Sequence, residues 1–180
     1  MKYIKLFENF EEYDPYELIV IPPNTKAEMI RDEMEKLEPN LSLVRDLIAL
    51  GANVDWQDEG HYNWTILHYT IFYNRIEIAK IIIDSGADVN LKNKLGDSPL
   101  HFSAYYDRYE ITRMLIDAGA DLDIQEDSGK TALHLSVYNN HIENVKILMK
   151  AGARTDIKDK YGKLPYDLAK TEEMKKLLQP

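Results

Sequence analysis

Three histidine-ended tetrapeptides, Thr65-Ile66-Leu67-His68, Ser98-Pro99-Leu100-His101 and Thr131-Ala132-Leu133-His134, start 33 residues apart. Another 33 residues on, the chain reads Leu164-Pro165-Tyr166-Asp167. A Gly-Ala pair keeps the same beat at Gly51, Gly86, Gly119 and Gly152, with intervals of 35, 33 and 33. Two markers that share a period describe a chain built of equivalent supersecondary units, each needing its neighbours to bury an apolar face. The first interval is two residues long, which places an insertion in residues 56–64.

One unit can be built from its residues. Thr65, Ser98 and Thr131 carry hydroxyls suited to capping a helix start, and Pro99 fits the first helical position. A helix over residues 99–106 has about two turns, too few to stand alone in water. Breaks are expected at Asn74-Arg75, Asp107-Arg108 and Asn140-His141, and a second helix over residues 111–118 ends at Gly119. Polar residues such as Asp121, Asp123 and Gln125 then lead into a turn holding Gly129, as Gly96 does one unit earlier. Upstream, Thr25-Lys26-Ala27-Glu28 has the form of a capping box and predicts a helix from Thr25 to about Leu37, with a partner over residues 41–50. Residues 164–170 and 172–178 are a shortened last pair. Residues 17–21 are strand-like between Asp14-Pro15 and Pro22-Pro23, so residues 1–24 either lie along the first unit or form a mobile arm.

The period and the T-P-L-H-like tetrapeptides resemble the ankyrin repeat. Ile66 and Ala132 stand where that signature has proline, and Asn63 replaces a tip glycine. The resemblance implies an all-α helical solenoid with short β-hairpin fingers. Its units would be an N-terminal cap over residues 25–57, repeats over 58–92, 93–125 and 126–158, and a C-terminal cap over 159–180. It also implies that His68, His101 and His134 tie neighbouring hairpins together by hydrogen bonds.

Composition narrows the chemistry. The chain has 180 residues, 44% hydrophobic and 29% charged, with a net charge of −9. Acidity of that size disfavours a grip on nucleic-acid phosphates. Without cysteine there is no thiolate zinc site, disulfide or Cys nucleophile. No apolar run reaches the roughly 20 residues of a membrane span, so the expectation is a cytoplasmic protein that touches no membrane. The histidine series, about 10 Å apart in a stack, is too widely spaced to share a metal ion. Neither a phosphate loop nor a nucleophile elbow occurs. The reading is therefore a non-catalytic chain with no cofactor, no metal and no catalytic residue, monomeric on its own.

Twelve tyrosines against four phenylalanines is the compositional oddity. Phe72, Tyr105 and Tyr138 are spaced by 33, and Tyr73 and Tyr106 start a second row that ends at Asn139. The resemblance implies that these positions face a concave groove, where stacking would make them an aromatic ladder. The alternative is packing between repeats. Trp56, Tyr62 and Trp64 occupy the lengthened first finger, as a binding tip or as a local minicore, while Leu95 and Tyr161 are the apolar residues of later tips. Tyr and Trp supply rigid contact area with a polar handle. Charge is graded too: −5 over residues 1–38, −6 over 39–125 and +2 over 126–180.

These residues predict a protein-interaction module whose partner presents a basic or mixed surface around an apolar patch. One rival is an acidic inhibitor or immunity-type protein that blocks a basic surface of its target. Another is an enzyme whose site joins residues 1–24 to the first repeat, which requires a deep pocket near residues 56–73.

Overall fold

The computed structural model describes residues 21–179. The expected strand over residues 17–21 lies outside them except for Ile21. The described chain falls into two compact units divided after Asn53. No helix in it is long and apolar enough to cross a membrane.

The first unit pairs α1 (Pro23–Glu35) with α2 (Leu41–Ala49). Helix α1 starts two residues before the expected capping box, at Pro23, and Thr25 does not cap it. Proline is preorganised for the first helical position and lacks the amide that a cap would satisfy, so the pair Pro22-Pro23 outcompetes Thr25. Ala27, Ile30 and Met34 of α1 meet Leu43, Val44 and Leu47 of α2 in a buried core. Lys26 is buried among them and its ammonium donates to the Leu50 carbonyl at 2.6 Å.

The second unit is a stack of helix pairs: α3 (Ile66–Phe72) with α4 (Ile76–Asp84), α5 (Pro99–Tyr105) with α6 (Tyr109–Asp117), and α7 (Ala132–Tyr138) with α8 (Ile142–Ala151). A 3-10 turn over Pro165–Leu168 and α9 (Glu172–Leu177) close it. First helices pack on first helices and second helices on second helices, giving two layers. Each second helix starts about two residues earlier than expected, because one left-handed residue reverses the chain: Asn74, Asp107 and Asn140 have φ of 55°, 57° and 61°. Asn and Asp tolerate that conformation better than other side chains with a Cβ.

The first helices share one start. Thr65, Ser98 and Thr131 each form a capping box with the histidine three residues on. Nδ1 of His68, His101 and His134 accepts the capping residue's amide at 3.1, 3.2 and 3.1 Å. The proton therefore sits on Nε2, which donates to the carbonyls of Asp97, Lys130 and Lys163 at 3.1, 3.1 and 3.2 Å. Each acceptor lies 29 residues ahead, in the next finger, as the resemblance implied. All three rings are buried. Burial holds the pKa of His68 and His101 down at about 4 and lowers that of His134, against the pull of the carbonyls.

The fingers are tied to one another directly. Lys94, Asp127 and Lys160 donate backbone amides to the carbonyls of Tyr62, Leu95 and Ser128 at 2.7, 3.0 and 3.0 Å. At the third finger this approach leaves no room for a side chain: a Cβ on Gly129, at φ 79°, would lie 2.7 Å from the Lys160 amide nitrogen. Gly119 has the same handedness, φ 90°, with nothing within 4 Å.

Two outcomes follow. Gly119→Ala bears only the left-handed penalty, about 1–2 kcal/mol, whereas Gly129→Ala also pushes two fingers apart and lowers the midpoint of urea unfolding at least twice as far. Lowering the pH also destabilises the fold: the unfolded histidines take up protons near 6.5, the folded ones only near 4, so their contribution is complete above about 6.5 and lost towards 4. Asp97, raised to about 6 by burial, acts in the opposite sense. The unfolding free energy measured in urea falls by roughly 2–4 kcal/mol between pH 7 and pH 5; an unchanged value means the histidines protonate in place.

Candidate binding face on the first helices and fingers

The lengthened finger is a true hairpin. Strand β1 (Gln57–Asp58) pairs antiparallel with β2 (Trp64–Thr65), Gln57 opposite Thr65 and Asp58 opposite Trp64. Tyr62 and Asn63 turn the tip with φ of 55° and 56°. In the later fingers Asn93 and Asp159 each use one side-chain oxygen to take the amides two and four residues on, and Glu126 uses its two. Asp58 holds the equivalent place and takes the near amide, Gly60 at 2.9 Å. Its other oxygen accepts the Tyr69 hydroxyl at 2.7 Å and contacts the His61 ring at 2.9 Å. The first finger is thus moored to the helix it precedes.

Trp64 carries that mooring into a cluster of rings. It is half-buried and meets Tyr69 at 5.2 Å, Phe72 at 5.3 Å and Phe102 at 4.9 Å between centroids. From Phe72 the contacts pass to Tyr73 at 5.0 Å and Tyr106 at 5.5 Å, and Tyr106 meets Tyr105 at 5.0 Å and Phe102 at 5.7 Å. Nearly all are edge-to-face, the arrangement the ring quadrupole favours. The rows do not run straight. Rings cross between repeats at Trp64–Phe102 and, diagonally, at Phe72–Tyr106, and among the described residues the ring network stops at Tyr105. Tyr138 takes a different partner: the Lys170 ammonium sits 3.8 Å from its ring centroid and that of Lys130 6.0 Å. Neither lysine is among the candidate site residues, although Lys130 lies eight residues before Tyr138, the separation that also joins Trp64 to Phe72.

Exposure sorts the candidates. Tyr62, Phe72, Leu95, Tyr105, Tyr138 and Tyr161 are exposed, while Trp56, Trp64, Tyr73 and Tyr106 are half-buried. Tyr69 and Phe102 are buried, at the edge of the core as expected. Of the eight large hydrophobics exposed in the second unit, seven lie on fingers or in the first-helix layer, Tyr166 included, and only Tyr109 starts a second helix. The acids at finger bases hold structure: Asp55, Asp121 and Asp123 accept the amides of Asp88, Asp123 and Arg154. A cleft of about 550 Å³ lined by Arg113, Ile116, Glu143, Lys146 and Lys150 belongs to the second-helix layer, not to residues 56–73.

Trp64 and Tyr105 are therefore different probes. Trp64→Ala removes a half-buried ring from three neighbours and lowers stability by about 2–4 kcal/mol. Tyr105→Ala, half exposed at the end of the network, costs less than about 1 kcal/mol. Thermal unfolding of the two variants separates them, and equal losses would mean that Tyr105 is structural.

The sequence profile of ankyrin repeats, a three-repeat profile, matches residues 36–126, 86–159 and 116–178. The chain is 38% identical over 64 residues to a putative ankyrin repeat protein, R664, of Acanthamoeba polyphaga mimivirus, and 37% identical over 60 residues to human 2-5A-dependent ribonuclease. Those stretches cover 34% and 33% of this chain but 40% and 8% of the two relatives, so each similarity spans less than half of the protein it concerns. Together with the repeat geometry, the profile match establishes the chain as a member of the ankyrin repeat family.

Proposed function

We propose that the chain binds another protein through its fingers and the exposed face of its first helices, without catalysis or cofactor, as a cytoplasmic monomer. Ankyrin repeats are in general protein-interaction modules and typically non-catalytic. The observation that carries the proposal here is the one-sided exposure of apolar side chains. In a protein of net charge −9, Tyr62, Phe72, Leu95, Tyr105, Tyr138 and Tyr161 all emerge from one layer and its fingers, whereas the opposite layer exposes charge. Apolar patches rimmed by polar residues mark interaction sites. The ring network fixes much of the contact surface before any partner arrives, which lowers the ordering cost of association.

Photo-crosslinking tests this at residue resolution. A benzophenone amino acid replaces Tyr62, Leu95, Tyr105 or Tyr161 on the proposed face, and Arg113 or Glu143 on the second helices, in cells that make the protein. Adducts are expected from the first set, weakened at least tenfold when Tyr106 is also changed to Ala. Adducts arising mainly from Arg113 and Glu143 would move the interface to the other layer and end the proposal.

A further inference from the structure

Tyr138 departs from its two repeat equivalents. Phe72 meets the rings of Trp64, Tyr73 and Tyr106, and Tyr105 meets that of Tyr106. Among the described residues Tyr138 touches no other ring and gathers charge instead. The Lys170 ammonium lies 3.8 Å from its centroid and that of Lys130 lies 6.0 Å away, both within cation–π reach. The tyrosine itself is 49% exposed.

Neither ammonium has a carboxylate. Elsewhere in the chain Lys146 and Lys175 pair with Glu143 and Glu172, and Lys26 and Lys92 donate to backbone carbonyls. Among the described residues the side chains of Lys130 and Lys170 do neither. The acids of the adjoining fingers are turned to their own backbone. Glu126 takes the amides of Ser128 and Lys130, Asp159 those of Tyr161 and Lys163, and Asp167 that of Leu164. Lys160 and Lys163 are exposed on the last finger, which is held to the third by the Lys160 amide, and their ammoniums have no ion pair among the described residues either.

Resting on a ring does not discharge an ammonium. The head group has three N–H donors, and those turned away from the ring stay open to an anion. The ring also restrains the side chain, so less rotamer freedom is lost when an anion arrives. We propose that Tyr138, Lys130 and Lys170 bind two neighbouring Asp or Glu side chains of the partner protein, one against each ammonium, with the exposed ring as an apolar wall. Charge complementarity supports this occupant: residues 126–180 carry +2 in a chain of net charge −9. The inference rests on the interaction reading above and adds the chemistry that the partner brings to the C-terminal end.

Fluorescently labelled Leu-Glu-Glu-Leu tests it by anisotropy against the full chain, beside Leu-Gln-Gln-Leu, Leu-Lys-Lys-Leu and hexauridylate. A protein of net charge −9 repels an anionic peptide at long range, so capture reports a local site. The glutamate peptide is expected to bind roughly tenfold more tightly than the glutamine and lysine ones, as two exposed ion pairs allow. Lys130→Gln and Lys170→Gln each weaken it by about fivefold. Lys150→Gln, which removes the same charge from the second-helix layer, leaves it unchanged. Tyr138→Leu weakens it and Tyr138→Phe, which keeps the ring, does not. Thermal midpoints of the lysine variants stay at the parent value, which separates lost binding from lost fold. No binding of the glutamate peptide, equal binding of the glutamine peptide, or an equal loss from Lys150→Gln overturns the proposal. Hexauridylate bound as tightly also overturns it, since the site then takes any polyanion. If one of these occurs while crosslinks map to Tyr62, Leu95 and Tyr105, the interaction face stands without the acidic contact; crosslinks confined to the second helices remove both.

Discussion

The hydrogen bond from a buried imidazole to the next finger's carbonyl is the contact on which the second unit's regularity depends. It does two tasks with one side chain. Nδ1 closes a helix start that would otherwise leave an amide unpaired, and Nε2 reaches across to the following repeat. Because the first bond fixes the tautomer, the second has only one polarity, always from a repeat to its successor. A protonated ring would set an N–H against an N–H, so the same geometry that orders the stack makes its order sensitive to acid.

On that scaffold the exposed aromatics gain a fixed arrangement. The first finger is moored by Asp58 and Tyr69, Trp64 is wedged between finger and helices, and Phe72 and Tyr106 join one repeat to the next. A ring held by edge contacts on two sides offers its remaining area without much rotamer freedom to lose. The surface chemistry then varies from repeat to repeat while the helix pairs keep one backbone pattern, which is how a periodic scaffold presents an aperiodic surface.

Much of this was legible in the residues because the underlying physics is local. Thr65, Ser98 and Thr131 announce helix starts through their own hydroxyls, and breaks are legible at Asn74, Asp107 and Asn140, though not the single left-handed residue that keeps each break short. Where two local signals compete the sequence is harder to read: Pro23 and the capping box at Thr25 each define a start, and proline's missing amide decides. The lie of the rings was less legible. Equivalent positions are neighbours by period, yet Phe72 meets Tyr106 rather than Tyr105, since the outcome depends on which side-chain rotamers clear the adjacent helix. Lys170 over Tyr138 was out of reach for another reason: the last first-helix position is only a 3-10 turn, and its length could not be read from the repeat.

The placement of Lys170 has a further consequence. A repeat array has no intrinsic end, and a face made of equivalent seats would let a ligand slide by one unit and bind almost as well. Lys170, just after the 3-10 turn, rests on Tyr138 and makes that position unlike Phe72 and Tyr105 before it. The two-residue insertion does the same at the first finger. Shifted by one repeat, the exposed side chains of the second unit therefore do not superimpose on themselves.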